Sequence, residues 1–210
     1  MRSIIGGCLV GVLAAASMPL GSEVARANAT TAGLARAAVP YAASSVPIRL
    51  QNRRSGKCLE VGRVGRLIPF GGGARVQQWK CSTTPDHMFS LDRFDVSGAQ
   101  QWELVIKQFG PGTTVYYALK STLTRKCLEV DQTNGGKAPG TRVLQWTCHD
   151  GDQQQWIRHY KGGGYYQYEN RRSGLCLEVD QSGADAGRND GTGILQWTCH
   201  RGPQQQWIQA

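Results

Sequence analysis

The sequence predicts an all-β fold built from three similar units that share one core. Three observations carry that expectation. A tetrapeptide, Cys58-Leu59-Glu60-Val61, recurs as Cys127-Leu128-Glu129-Val130 and as Cys176-Leu177-Glu178-Val179. A second motif follows each copy: Gln78-Trp79-Lys80-Cys81, Gln145-Trp146-Thr147-Cys148 and Gln196-Trp197-Thr198-Cys199. The chain is rich in glycine, 27 residues, much of it in the loops between motifs, and no segment after residue 47 keeps a helical period. A unit this short cannot bury a core alone, so three of them must pool one around a pseudo-threefold axis.

At the N-terminus, Met1-Arg2 precedes a mostly apolar run, Ile4 to Leu20, and Ala25-Arg26-Ala27 has the small-x-small form of a cleavage site. Residues 1–27 therefore fit a secretory signal peptide. The alternative is a membrane span, but the run falls short of the ~20 residues needed to cross a bilayer. Cleavage after Ala27 removes Arg2, Glu23, Arg26 and Cys8, taking the net charge from +9 to +8 and leaving six Cys. An even number of Cys in an exported chain points to disulfides. Residues 28–47 are Ala-rich, broken by Pro40 and Pro47, and are expected to be a loosely docked lead-in.

Within each unit, Cys-Leu-Glu-Val alternates apolar with polar as a half-buried strand does. Leu59, Val61, Leu128, Val130, Leu177 and Val179 are then the inward residues. Val143-Leu144-Gln145-Trp146 suits a second short strand. Two units continue alike, through Gln153-Gln154-Gln155-Trp156-Ile157 and Gln204-Gln205-Gln206-Trp207-Ile208. Unit 1 departs. Counting eight residues on from its second Cys gives Phe89, whereas Gln100-Gln101-Trp102 matches the motif itself after a longer stretch. Either aromatic can be the equivalent of Trp156 and Trp207, and Trp102 gives two Trp per unit throughout.

These residues resemble the ricin B-type lectin family, a β-trefoil with a Gln-x-Trp motif in each repeat. The resemblance covers about residues 48–210, with repeats at about 48–115, 116–164 and 165–210. It implies one disulfide inside each repeat: Cys58–Cys81, Cys127–Cys148 and Cys176–Cys199. Six Cys allow 15 pairings by spacing alone, and a loop of this size adds about 3 kcal/mol. A zinc site is the rival use of the cysteines, but there is no Cys-x-x-Cys.

The resemblance also implies a carbohydrate site in each repeat. An aromatic ring stacks on the apolar face of a sugar, and carboxylates and amides hold the hydroxyls. The aromatic positions are Trp79, Trp146 and Trp197, whose alternative role is to pack over their own disulfides. The strand carboxylates are Glu60, Glu129 and Glu178. Gln153 and Gln204 precede Gln-x-Trp, and Gln77 keeps the family's amide two residues before the aromatic. That amide is Leu144 and Leu195 in repeats 2 and 3, and the family's usual Asp is Glu in all three. Galactose preference therefore does not follow. Asp131 and Asp180 add a carboxylate on the strand face of Glu129 and Glu178, where repeat 1 has Gly62. Repeats 2 and 3 are the expected sites, and repeat 1 the weak one. Several weak sites on one chain favour avid binding to polymers.

Other functions find little footing. No nucleophile elbow or His-Glu-x-x-His occurs, and the glutamates recur once per repeat rather than as a pair across one cleft. No catalytic residue, cofactor or metal is expected. His149 and His200 each follow a repeat's second Cys and are expected on a loop or rim. The arginine pairs Arg53-Arg54 and Arg171-Arg172 are too short for a nucleic-acid patch; the positive charge suits acidic polymers or anionic surfaces better. The expectation is a secreted, non-catalytic lectin for glycans or polysaccharides, without nucleic-acid or integral membrane partners. A trefoil that binds or inhibits proteins, its sugar sites decayed, is the alternative.

Overall fold

A computed structural model describes residues 46–62, 71–82 and 97–210. The expected signal peptide, most of the lead-in and Phe89 lie outside the described residues.

The described residues form twelve strands: β1 Leu50–Asn52, β2 Cys58–Val61, β3 Val76–Trp79, β4 Trp102–Phe109, β5 Val115–Ser121, β6 Cys127–Val130, β7 Val143–Trp146, β8 Trp156–Gly162, β9 Tyr165–Asn170, β10 Cys176–Val179, β11 Ile194–Trp197 and β12 Trp207–Gln209. The helical segments among the described residues are three short 3-10 turns, Ser97–Gln100, Asp152–Gln154 and Pro203–Gln205. Each ends with a single residue between it and a Gln-x-Trp tryptophan.

Six strands close a barrel. β4 pairs β5, β5 pairs β8, β8 pairs β9, β9 pairs β12 and β12 pairs β1, all antiparallel. The ring shuts where Ile48 and Trp102 exchange both backbone bonds at 2.9 Å. Closure removes the free edges that an open sheet presents. The other six strands form three hairpins, β2–β3, β6–β7 and β10–β11, one per repeat. This is a β-trefoil.

The hairpins are joined to one another around the threefold axis. Bridges link Arg75 to Leu144, Arg142 to Leu195 and Gln77 to Gly193. The glutamine of each Gln-Trp pair completes the join. Gln78 donates to the carbonyls of Gly187 and Asn189, Gln145 to Gly71, and Gln196 to Gly136 and Ala138. Each of these amides is buried and bonded, so it fastens one repeat to the preceding one at no desolvation loss.

The core follows the expected alternation. Leu59, Val61, Leu128, Val130, Leu177 and Val179 are all buried in one cluster with Trp102, Trp156, Trp207 and Tyr168. Trp102 is the repeat-1 equivalent of Trp156 and Trp207. Its indole N–H donates to Leu59 O at 3.1 Å, as Trp156 does to Leu128 O at 3.2 Å and Trp207 to Leu177 O at 3.4 Å. The insertion in repeat 1 therefore precedes its motif tryptophan. The three disulfides are Cys58–Cys81, Cys127–Cys148 and Cys176–Cys199. No helix among the described residues is long and apolar enough to cross a membrane.

Candidate functional site: the outer face of each hairpin

Strand register sets the site. In repeat 2, Cys127 stands opposite Trp146 and Glu129 opposite Leu144. Leu128 and Val130 point into the core, so Cys127, Glu129, Leu144 and Trp146 share the outer face. Repeat 3 repeats the pattern with Cys176 opposite Trp197 and Glu178 opposite Leu195. Repeat 1 places Cys58 opposite Trp79 and Glu60 opposite Gln77.

The tryptophans are held by neighbouring repeats rather than by their own disulfides alone. Trp146 packs on Gly72 and Gly73, Trp197 on Gly140, and Trp79 on Gly191. Gly73, Gly140 and Gly191 all adopt positive φ, between 81° and 84°. Their turns approach the ring edges within 3.4–3.5 Å of where a Cβ would sit, and only glycine takes that backbone without strain. Packing fixes each ring yet leaves Trp146 44% and Trp197 43% exposed. Trp79 is half-buried.

Beside each exposed ring lies a carboxylate gripped by two donors. Gln154, on the 3-10 turn, donates to Thr147 O at 2.9 Å and to Glu129 Oε2 at 2.5 Å. Its own carbonyl accepts the His149 N–H at 2.9 Å. The His149 ring adds the second grip, with Nε2 3.0 Å from Glu129 Oε2. Gly151 N–H points at His149 Nδ1 at 2.9 Å. Nδ1 must therefore be the acceptor, which puts the imidazole proton on Nε2, facing the carboxylate. Repeat 3 is built alike: Gln205 and His200 hold Glu178 Oε2 at 2.6 and 3.1 Å, and Gly202 N–H meets His200 Nδ1 at 2.9 Å. Both grips fall on Oε2. Oε1 of Glu129 and of Glu178 accepts no hydrogen bond among the described residues and is not sealed from solvent. Glu129 and Glu178 are themselves only 6% and 5% exposed.

Burial holds the Glu178 carboxyl above its ordinary value, against the lowering effect of Gln205 and His200. Gln153 and Gln204 lie in the same clusters. Their Oε1 atoms and the His149 and His200 rings crowd Gly151 and Gly202, where a Cβ would come within 2.6–2.7 Å of them.

Asp131 and Asp180 take on a role that strand alternation did not foretell. The strands stop at Val130 and Val179, and each aspartate starts a turn. Asp131 Oδ1 accepts from Thr133 N at 2.9 Å and Thr133 Oγ at 2.6 Å, while Oδ2 meets Arg142 at 3.1 Å. The Thr133 bonds first, and Arg142 after them, hold Asp131 below the usual carboxylate range. Asp180 caps Ser182 N at 2.9 Å and has Gly193 where repeat 2 has Arg142.

Repeat 1 is closed. Glu60 is 0% exposed. Gln100 donates to its Oε2 at 2.8 Å and Gln77 reaches Oε1 at 3.4 Å. Ser82 stands where the others have histidine. Among the described residues, no group of three or more His, Cys, Asp or Glu gathers to hold a metal. The functions of His149, His200 and the suturing glutamines were not visible in sequence, although the doubled Cys-His pair was a signal that the ring does more than ride on a rim.

Comparison with known proteins agrees with this fold. A family model described as "Ricin-type beta-trefoil lectin domain-like" matches residues 98–189 and 160–209, which together span 98–209, more than half of the chain. The chain belongs to that family. Carbohydrate binding is accordingly its class of function. It is similar to a designed three-fold symmetric protein, ThreeFoil, at 31% identity and TM-score 0.60, covering 78% of this chain and 97% of that one. It also resembles an exo-β-1,3-galactanase from Clostridium thermocellum, at 26% identity and TM-score 0.60, over 80% of this chain but only 30% of the enzyme. A ricin B-like lectin of Macrolepiota procera, solved with lactose, shares the fold at 14% identity and TM-score 0.52, over 79% of this chain and 95% of that one. No curated protein matches the chain by sequence.

Proposed function

We propose that the protein is a secreted, non-catalytic lectin that holds hydroxyl-rich glycans on repeats 2 and 3. One observation carries the reading: Trp146 and Trp197 each keep a ring partly open beside a carboxylate with one unused oxygen. The ring supplies the stacking face, Glu129 or Glu178 accepts a sugar hydroxyl, and Gln153 or Gln204 offers an amide at the rim. His149 and His200 orient the carboxylates and present an N–H edge. The three disulfides support passage through an oxidising compartment, in keeping with the signal peptide expected at residues 1–27. Two sites of modest affinity on one small body suit repeating polysaccharides, where binding at one site raises the effective concentration at the other.

A glycan array probed with the wild-type chain and with Trp146→Ala/Trp197→Ala tests the reading. Selective glycan binding lost in the double variant is the expected result. An array that stays blank, or binding that survives the double change, overturns it. Leu144 and Leu195, apolar where the family has an amide, favour a second reading in which the same faces contact a protein. A blank array with a folded chain would point there.

A further inference from the structure

The barrel end away from the hairpins carries a cation that the sugar sites do not use. Trp156 points into the core, so Arg158, two residues along β8, points to the same interior side nearer the barrel mouth. Its guanidinium lies 4.4 Å from the Tyr166 ring centroid and 5.3 Å from that of Tyr117. Tyr166 in turn contacts Tyr160, ring centroids 5.3 Å apart, and Tyr160 is 63% exposed. Tyr168 is the residue opposite Arg158. Its hydroxyl, pushed up to about 12 by burial, feels the Arg158 charge.

This guanidinium has five N–H donors and makes no hydrogen bond or ion pair among the described residues. None of its nitrogens is sealed from water. The acidic groups of the nearby strands β4 and β9 are engaged elsewhere: Glu103 with Arg125 at 2.7 Å and Glu169 with His159 at 2.8 Å. A planar fork held by two aromatic rings has lost much of its rotational freedom before any ligand arrives, and its geometry matches an oxyanion. The neighbouring exposed Tyr160 offers a face on which a sugar ring can stack. The chain's net charge of +9 draws anionic polymers towards it.

We propose that the barrel mouth is a second carbohydrate contact, selective for acidic sugars, in which Arg158 binds a ring-borne oxyanion and Tyr160 stacks on the ring. The oxyanion is a carboxylate or a sulfate ester; both present the same paired oxygens. This site is independent of Trp146 and Trp197.

Affinity electrophoresis in gels containing dextran, dextran sulfate or polygalacturonate tests it. Arg158→Gln is expected to weaken retardation by dextran sulfate, polygalacturonate or both by about tenfold, and the polymer affected identifies the oxyanion. Retardation by neutral dextran should not change. Tyr160→Ala, at an exposed position where folding is not at stake, should weaken the same acidic polymer. Arg172→Gln removes one charge from an exposed turn and controls for bulk electrostatics. The proposal is overturned if Arg158→Gln leaves both acidic polymers bound as before, or if Arg172→Gln weakens them equally. Trp146→Ala/Trp197→Ala should keep the acid-dependent binding, so failure of this site and failure of the hairpin sites give different patterns.

Discussion

Repeats 1 and 3 begin from the same four residues, Cys-Leu-Glu-Val, and put the glutamate to different uses. Glu178 is gripped on one oxygen and has no hydrogen bond on the other among the described residues, with a partly exposed Trp197 beside it. Glu60 is sealed, with Gln77 and Gln100 reaching both of its oxygens. Two neighbouring positions explain the difference. Gln77 covers Glu60, whereas Leu195, opposite Glu178, has nothing to donate. The place held by Asp180 in repeat 3 is Gly62 in repeat 1, where a Cβ would lie 2.6 Å from Arg75 Cγ, so no second carboxylate fits. Repeat 2 lies between them: Glu129 is gripped as Glu178 is, and Arg142 pairs with its aspartate. Threefold symmetry of fold therefore does not give the three glutamates equal surroundings. The strand supplies the carboxylate, and the residues facing it decide whether that group is structural or available.

The largest expected effect is on stability. Glu60→Ala removes a buried acceptor shared by the Gln77 and Gln100 amides and should cost about 2–4 kcal/mol, read by urea unfolding, with glycan affinity unchanged. Loss of glycan affinity in a chain that stays folded would mean repeat 1 is a site after all. Next, Trp197→Ala should weaken glycan binding about tenfold, the worth of a stacked aromatic face, while Trp79→Ala stays within about twofold. Equal losses would erase the distinction between open and closed repeats.

The acid side offers a third test. Glu178 titrates above its ordinary value of 4.5 because of burial. As pH falls it takes up a proton earlier than a free carboxylate, so binding through repeat 3 should begin to fail above pH 4.5. Folding responds with the opposite sign. The folded chain binds this proton more tightly than the unfolded chain, so the group's contribution to stability is full below pH 4.5 and is lost as pH rises through the raised value. A titration of affinity in Trp146→Ala, which leaves repeat 3 as the open site, reads the first effect, and Glu178→Gln should flatten it. A profile in wild-type repeat 3 that holds steady down to pH 4 would contradict it. The smallest expected change is in repeat 2. Arg142→Ala frees Asp131 from an exposed ion pair and should improve binding there by about twofold, measured in Trp197→Ala. A loss would show that Arg142 contacts the ligand.

Much of this molecule could be read from its residues, for reasons of period and repetition. The Leu and Val of each Cys-Leu-Glu-Val alternate with polar residues, and three copies fix the core side without reference to distant contacts. The tryptophans before the second Cys are legible in the same way. What sequence leaves open depends on meetings between separate segments. Phe89 and Trp102 are both reasonable until the bond from Trp102 to Leu59 O is seen. Strand alternation puts Asp131 on the side of Glu129, but it does not tell that Asp131 also accepts from Thr133 N just past the strand end at Val130. His149 looks like a loop residue because its role comes from the Gly151 N–H on one nitrogen and Glu129 on the other. Gln78, Gln145 and Gln196 look like part of a motif, and their work is to join one repeat to the preceding one.

Calorimetric titration with a short oligosaccharide taken from the array tests the central claim most directly, because it counts sites. Two ligands per wild-type chain, one per Trp197→Ala chain and two per Trp79→Ala chain are the predicted values. Three per wild-type chain, with one lost in Trp79→Ala, would contradict the account.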